Sequence, residues 1–233
     1  MTTLRTYIRE VLEAEDAPVL QPNAQIFCDM DGVIADFVAG IIPIINDMLA
    51  GGEPPYSEAT KGHRKRLRKA QREVGPDFRA RTKNDINIRS IRSLMLSTIG
   101  AAPGPAFANL PALADGVGQL WPFINSTDHV VNILTAAVRA RPGAGSTSKD
   151  GKIEWIGTHL SPPPSEIIVV QADVDGSSAD KKARYAMRGG VPNLLIDDHT
   201  KNVAAWRAAG GIAIHHLPGD SDGTIKQLEG MGL

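Results

Sequence analysis

Asp29 and Asp31 flank Met30 directly after the apolar run Ile26-Phe27-Cys28, and Gly32 follows them. Thr135 closes a second apolar run, Val130–Leu134, and Asp197-Asp198 closes a third, Asn193–Ile196. Lys152 opens a helical pattern after a Gly- and Ser-bearing stretch. If the three runs are strands of one parallel sheet, these groups meet at its carboxyl edge, where open α/β sheets bind ligands. Carboxylates crowded there repel one another and call for a cation. Oxygen donors without nitrogen or sulfur suit a hard ion such as Mg²⁺. A cation and a lysine together can neutralise a phosphate, so that an anionic carboxylate can approach it. Attack by Asp29 would give an aspartyl-phosphate. Asp31, two residues on, could protonate the leaving alcohol and then deprotonate the hydrolytic water. The chemistry that suits this set is phosphoryl transfer.

The elements that must position these groups follow from hydrophobic patterning. Ile167–Val170 and Ile212–Ile214 add two more buried-strand candidates. Helical patterns lie between the runs, over Leu113–Phe123, Lys152–Leu160, Asp180–Arg188, Lys201–Ala209 and Asp222–Glu229. Strands alternating with helices predict βαβ units, hence an α/β chain with a Rossmann-like parallel sheet. Residues 37–110 break the alternation: they read as mostly helical and predict a cap inserted after the first strand. The catalytic core is then expected over 25–36 and 111–233, with an N-terminal helix and linker over 1–24. Within that stretch, Leu4, Ile8, Val11 and Leu12 fall at helical spacing. Arg139 to Asp150 is expected to be a mobile loop.

The net charge of −1 does not mark the whole molecule as a polyanion binder. The distribution is uneven, however. Lys61 to Arg92 carries 12 of the 25 basic residues against three acids, Glu73, Asp77 and Asp85. Such a run is either a solvated helix face or a positive lid over an anionic substrate. The single Cys28 excludes an internal disulfide and fits a reducing compartment. No apolar run approaches the length of a membrane span, so no membrane partner is expected. His199, His215 and His216 are set aside as metal ligands because the oxygen donors already complete a site. Asp173 and Asp175 beside Gly176 read as a surface turn in preference to a calcium loop.

Ile26-Phe27-Cys28-Asp29-Met30-Asp31-Gly32-Val33 resembles the first motif of haloacid dehalogenase-like hydrolases. Ile133-Leu134-Thr135 resembles the second, Lys152 fits the third, and Leu195-Ile196-Asp197-Asp198 fits the fourth. Within that superfamily the chain is most similar to 5'(3')-deoxyribonucleotidases and related phage-encoded proteins, whose Lys-x-x-Trp signature resembles Lys152-Ile153-Glu154-Trp155. The resemblance implies a Mg²⁺-dependent phosphatase acting on a small phosphorylated substrate, a (deoxy)nucleoside monophosphate. It implies Asp29 as nucleophile and metal ligand, and Asp31 as general acid/base with its backbone carbonyl on the metal. It also implies Thr135 and Lys152 on the phosphoryl group, Asp197 as metal ligand and Asp198 as its support. The family's usual Thr-Ser is here Thr135-Ala136, which alters a substrate-phosphate contact. A second substrate-side lysine is Lys181 or Lys182. The cytoplasm is the implied place of action, in the host cell for a phage-encoded chain. Two other readings stay open: a polynucleotide end (3') phosphatase whose basic cap tracks nucleic acid, and a non-catalytic phosphate-binding or structural protein that keeps the fold.

Overall fold

The computed structural model describes residues 18–53, 61–139, 145–171 and 176–233. The predicted helix over 1–15, Asp173 and Asp175, and part of the predicted loop before Asp150 lie outside these residues. Strand β1 (Gln25–Cys28) is followed by β2 (Val130–Ala136) and β3 (Ile167–Val170), then by a two-stranded hairpin, β4 (Met187–Arg188) and β5 (Val191–Pro192). Strands β6 (Leu194–Asp197) and β7 (Ile212–His215) complete the set. Five of them form a parallel sheet in the order β3-β2-β1-β6-β7. The central place of β1 is why Asp29 is flanked on both sides by chemistry: Cys28 pairs with Ile133 of β2 and with Ile196 of β6.

A parallel sheet covered on both faces requires side chains of both parities to be apolar. Ile26, Cys28, Ile133, Leu194, Ile196 and Ile214 join the large core on one face. Phe27, Leu134, Leu195 and Ala213 turn to the other face, against Val203 and Trp206. The short apolar runs of the sequence therefore reflect strands buried twice over, not amphipathic ones.

The helices are α1 (Phe37–Leu49), α2 (Lys61–Val74), α3 (Lys83–Ile86), α4 (Arg89–Ile99) and α5 (Pro103–Ala108), all between β1 and β2. A π-helical turn at Gly116–Leu120 runs into α6 (Trp121–Asn125). Then come α7 (Ser148–His159), α8 (Ser178–Ala183), α9 (Thr200–Ala208) and α10 (Ser221–Gly230). The chain leaves the core for α1 and returns at one place. Ala35 bridges Ala112, and the Asp36 amide donates to the Pro111 carbonyl at 2.8 Å.

Several predicted boundaries shift for physical reasons. The helix expected over Asp180–Arg188 stops at Ala183, because Gly189 and Gly190, at φ 57° and 82°, form the tight turn of the β4–β5 hairpin. The helix expected from Lys152 begins four residues earlier, at Ser148, because Thr147 and Asp150 form a capping box. Strands β2 and β6 run on to include Thr135 and Asp197, so these two groups stand on strand backbone and not on loops.

Candidate active site

Asp29 leaves β1 with its amide still bonded to the Ile196 carbonyl, 2.9 Å, so the strand register fixes its position. The chain then turns tightly. Gly32, at φ 80°, donates its amide to the Ala35 carbonyl, and a Cβ there would lie 2.6 Å from the Asp198 carboxyl carbon. Glycine at this place serves both the left-handed backbone and the approach of Asp198 to the first acidic pair.

Two buried lysines divide the acids between them. Lys182 Nζ, from α8, lies 3.0 Å from Asp29 Oδ2 and 2.7 Å from Asp197 Oδ2. Lys152 Nζ, from α7, lies 2.6 Å from Asp31 Oδ2 and 2.8 Å from Thr135 Oγ1. Neither lysine exposes its side chain, so each charge is held by the acids it faces. The Phe107 ring of α5 covers Lys152 at 4.6 Å from its centroid. That helix can come so close because Gly104 and Gly151 face each other; a Cβ at Gly151 would strike the Gly104 carbonyl. Trp155 anchors α7 from the next turn, donating its indole N–H to the Leu110 carbonyl at 2.7 Å. The Lys-x-x-Trp spacing thus turns one residue into the site and the other into the cap's point of return.

Asp197 is the most heavily bonded acid. Besides Lys182, it accepts from the His199 amide at 2.8 Å and from Asn202 Nδ2 at 2.9 Å on each oxygen. Asp198 accepts on one oxygen from Lys83 of α3, at 2.6 Å, a residue of the helical segment between β1 and β2. Oxygens of Asp29, Asp197 and Asp198 all lie within 4.8 Å of one another. Oδ1 of Asp31 is buried without a partner, so the site holds one further acceptor in need of a proton or a ligand. The donors present fit a hard divalent cation: oxygens only, several of them anionic, in a tight group.

The electrostatics follow from burial. Burial raises the Asp31 carboxyl above the usual range, with Lys152 pulling the other way and Asp29 adding to the rise. Burial, then the Asp29 charge, pushes Asp197 up to about 7 against the pull of Lys182. Lys182 is held above the ordinary lysine value because Asp29 and Asp197 outweigh its desolvation. Four carboxyls thus share two buried lysines and the ammonium of Lys83.

Of the residues singled out from the sequence, Asp29, Asp31, Thr135, Lys152, Asp197, Asp198 and Lys182 come together. Lys181 is the partly exposed neighbour on α8, and Ala136 sits partly exposed at the end of β2. His199 caps α9, His215 Nε2 meets the Asp198 carbonyl at 3.1 Å, and His216 is bonded to Thr224. Sequence reasoning missed Lys83, Phe107 and Asn202. Asn202 had a local signal, standing one helical turn into the element after Asp197-Asp198; Lys83 and Phe107 had none.

No family model matches the chain, and no curated protein does. Solved structures do. A hydrolase from Streptococcus pneumoniae TIGR4 is 14% identical and aligns over 90% of this chain and 99% of its own, with a TM-score of 0.48. A hydrolase from Pseudomonas syringae is 17% identical over 90% of each chain, with a TM-score of 0.43. A haloacid dehalogenase-superfamily hydrolase, subfamily IA, from Geobacter sulfurreducens is 10% identical over 89% of this chain and 97% of its own, with a TM-score of 0.44. The α/β fold stands on its own sheet order, and the site on its own distances.

Proposed function

We propose that the chain hydrolyses phosphomonoesters through an aspartyl-phosphate on Asp29. One observation carries the reading: a different buried lysine stands at each of the two acids that the reaction needs, Lys182 at Asp29, where it also meets Asp197, and Lys152 at Asp31. Such a division lets two neighbouring carboxyls do different work. Lys182 lies against the Asp29 carboxyl that would attack phosphorus. The raised Asp31 can hold a proton and give it to the leaving oxygen as the ester P–O bond breaks. Its carboxylate then takes a proton from the incoming water, which attacks the acyl phosphate, releases inorganic phosphate and restores Asp29. Lys152 and the Thr135 hydroxyl stand together where the non-bridging phosphoryl oxygens would need donors.

Asp29, Asp197 and Asp198, with the Asp31 backbone carbonyl, would hold Mg²⁺. Because Lys182 and Asn202 already engage both oxygens of Asp197, Asp198 has the freer carboxylate of that pair. A bound Mg²⁺ supplies charge neutralisation of the phosphate. The preferred substrates are (deoxy)nucleoside monophosphates, on the resemblance of the Asp-x-Asp-Gly, Thr, Lys-x-x-Trp and Asp-Asp segments to the deoxyribonucleotidases. The test is phosphate release by the purified chain with Mg²⁺ across nucleoside monophosphates, sugar phosphates and 3'-phosphorylated oligonucleotides. Turnover that is led by deoxynucleoside monophosphates and abolished by EDTA is expected. Equal turnover in EDTA would refute the proposal.

A further inference from the structure

The cap carries a second concentration of charge that the reaction does not use. Helix α2 holds seven lysines and arginines in 14 residues against one acid, Glu73. His63, Leu67, Ala70, Gln71 and Val74 form its packed face, and the cations occupy the rest. Arg64 and Arg68, Lys65 and Lys69, and Arg68 and Arg72 are like-charge pairs one turn apart, an arrangement that destabilises a helix standing alone. A merely solvated face mixes charges of both signs. This one sets a single acid against seven cations, and among the described residues no ion pair joins Lys65, Arg68 or Arg72 to a carboxylate.

The cations also frame concave surface. A cavity of about 830 Å³ opens between α2 and the end of α1, walled by Lys65, Arg68, Arg72 and Arg79 over a floor of Leu49, Ala50 and Pro76. A smaller hollow, of about 300 Å³, lies along the helix between Lys65, Arg66 and Lys69. Lys65 lines both, so basic side chains border concave surface on two sides of the helix's exposed face. A 14-residue helix is roughly 21 Å long, too long for one phosphate group and long enough for several phosphates in a row. The cavity lies at the Leu49 end of α1, roughly 18 Å of helix from Phe37, which follows the catalytic turn. A monophosphate held at Asp29 would not span that length.

We infer that α2 and the cavity beside it form a separate binding site for the phosphodiester backbone of a nucleic acid. Neither lining includes an aromatic ring on which a base could stack, so recognition runs through phosphates and is indifferent to sequence.

The test uses the full chain and a fluorescent single-stranded oligonucleotide lacking terminal phosphates, which offers the catalytic aspartates no monoester. Binding should weaken steeply with salt, because each neutralised phosphate releases about 0.7 counterion. The variant carrying Lys65→Gln, Arg68→Gln and Arg72→Gln should bind at least tenfold more weakly at low salt, with its salt slope reduced by about 2. Its circular dichroism spectrum and Tm should match the parent's, showing that it is folded, and its kcat/KM on a mononucleotide should change by less than tenfold. A charge-conserving variant, Lys65→Arg with Arg68→Lys and Arg72→Lys, should bind nearly as the parent does. Unchanged oligonucleotide binding in the Gln variant would overturn the inference, as would tighter binding of a poly-glutamate peptide, which would point to an acidic protein instead. Failure of the phosphatase reading would show in the activity assay alone and leave this binding result standing.

Discussion

At the scale of single residues, the division of labour proposed for Asp29 and Asp31 is open to direct test. Asp29→Asn removes the attacking anion but keeps the shape. It should lower kcat by at least about a thousandfold, with an unchanged circular dichroism spectrum. A folded Asp29→Asn protein that releases phosphate near the parent rate would end the mechanism. For Asp31 the discriminating variable is the leaving group. An alkyl alkoxide needs a proton as it departs, whereas p-nitrophenolate does not. Asp31→Asn should therefore cost at least about tenfold more on an alkyl phosphate than on p-nitrophenyl phosphate, judged against the usual 10²–10⁴-fold yield of general acid catalysis. Equal losses on both substrates would make Asp31 a structural acid. Much of this site is legible in the sequence. An apolar run ending in Asp-Met-Asp-Gly announces a buried strand and a tight turn, and Gly32 fills the role that such a turn demands. The choice between Lys181 and Lys182 is not legible there. It depends on which face of the six-residue α8 meets the sheet, and packing decides that.

At the scale of elements, the contact that sequence reasoning had no means of finding is the one between α3 and Asp198. Lys83 lies 115 residues from Asp198, within a basic run that offers no reason to prefer one lysine. What positions it is local: the Thr82–Asp85 capping box fixes the start of α3 and aims Lys83 back across the cap boundary. The Lys83 side chain is 51% exposed, so as a stabilising ion pair it is worth under about 1 kcal/mol. Its importance should lie in substrate capture, since it brings a cation from the cap to the acidic cluster. Lys83→Met is expected to raise KM by about three- to tenfold while kcat stays within about twofold, the pattern of lost binding energy. An unchanged KM would reduce Lys83 to a surface contact. The capping box at Thr147 teaches a related lesson: Thr-Ser-Lys-Asp was readable as a helix start, but its polar residues hid it in a stretch that looked like loop.

At the scale of the whole molecule, the acids couple stability to pH and to metal. The Asp197 carboxyl is raised in the fold to about 7, from 3.8. The folded chain therefore binds that proton more tightly than the unfolded chain does. The resulting stabilisation is complete below pH 3.8 and is lost as pH rises through about 7. A divalent cation competes with that proton, so Mg²⁺ should raise Tm more at pH 8 than at pH 6, as scanning fluorimetry would show. In Asp197→Asn this pH dependence should largely disappear. A Tm shift equal at both pH values would mean that Asp197 stays ionised without metal. Among the described residues, no helix is long and apolar enough to cross a membrane.

The point where the chain leaves the sheet and returns to it has an evolutionary reading. Ala35 and Ala112 face each other across a bridge, and the Asp36 amide is tied to the Pro111 carbonyl. The segment between leaves and returns through a neck whose two ends are already neighbours. Lengthening, shortening or exchanging that segment leaves the closure distance at the neck unchanged, and loop-closure entropy grows only slowly with the number of residues enclosed. Selection, or an engineer, can thus graft a different cassette at residues 36 and 111 and leave β1 and β2 in register, with Asp29 and Thr135 kept at neighbouring strand ends. An exchanged cassette would still have to supply what Phe107, Leu110 and Lys83 now supply to Lys152, Trp155 and Asp198, so those three contacts set how far the segment can drift alone.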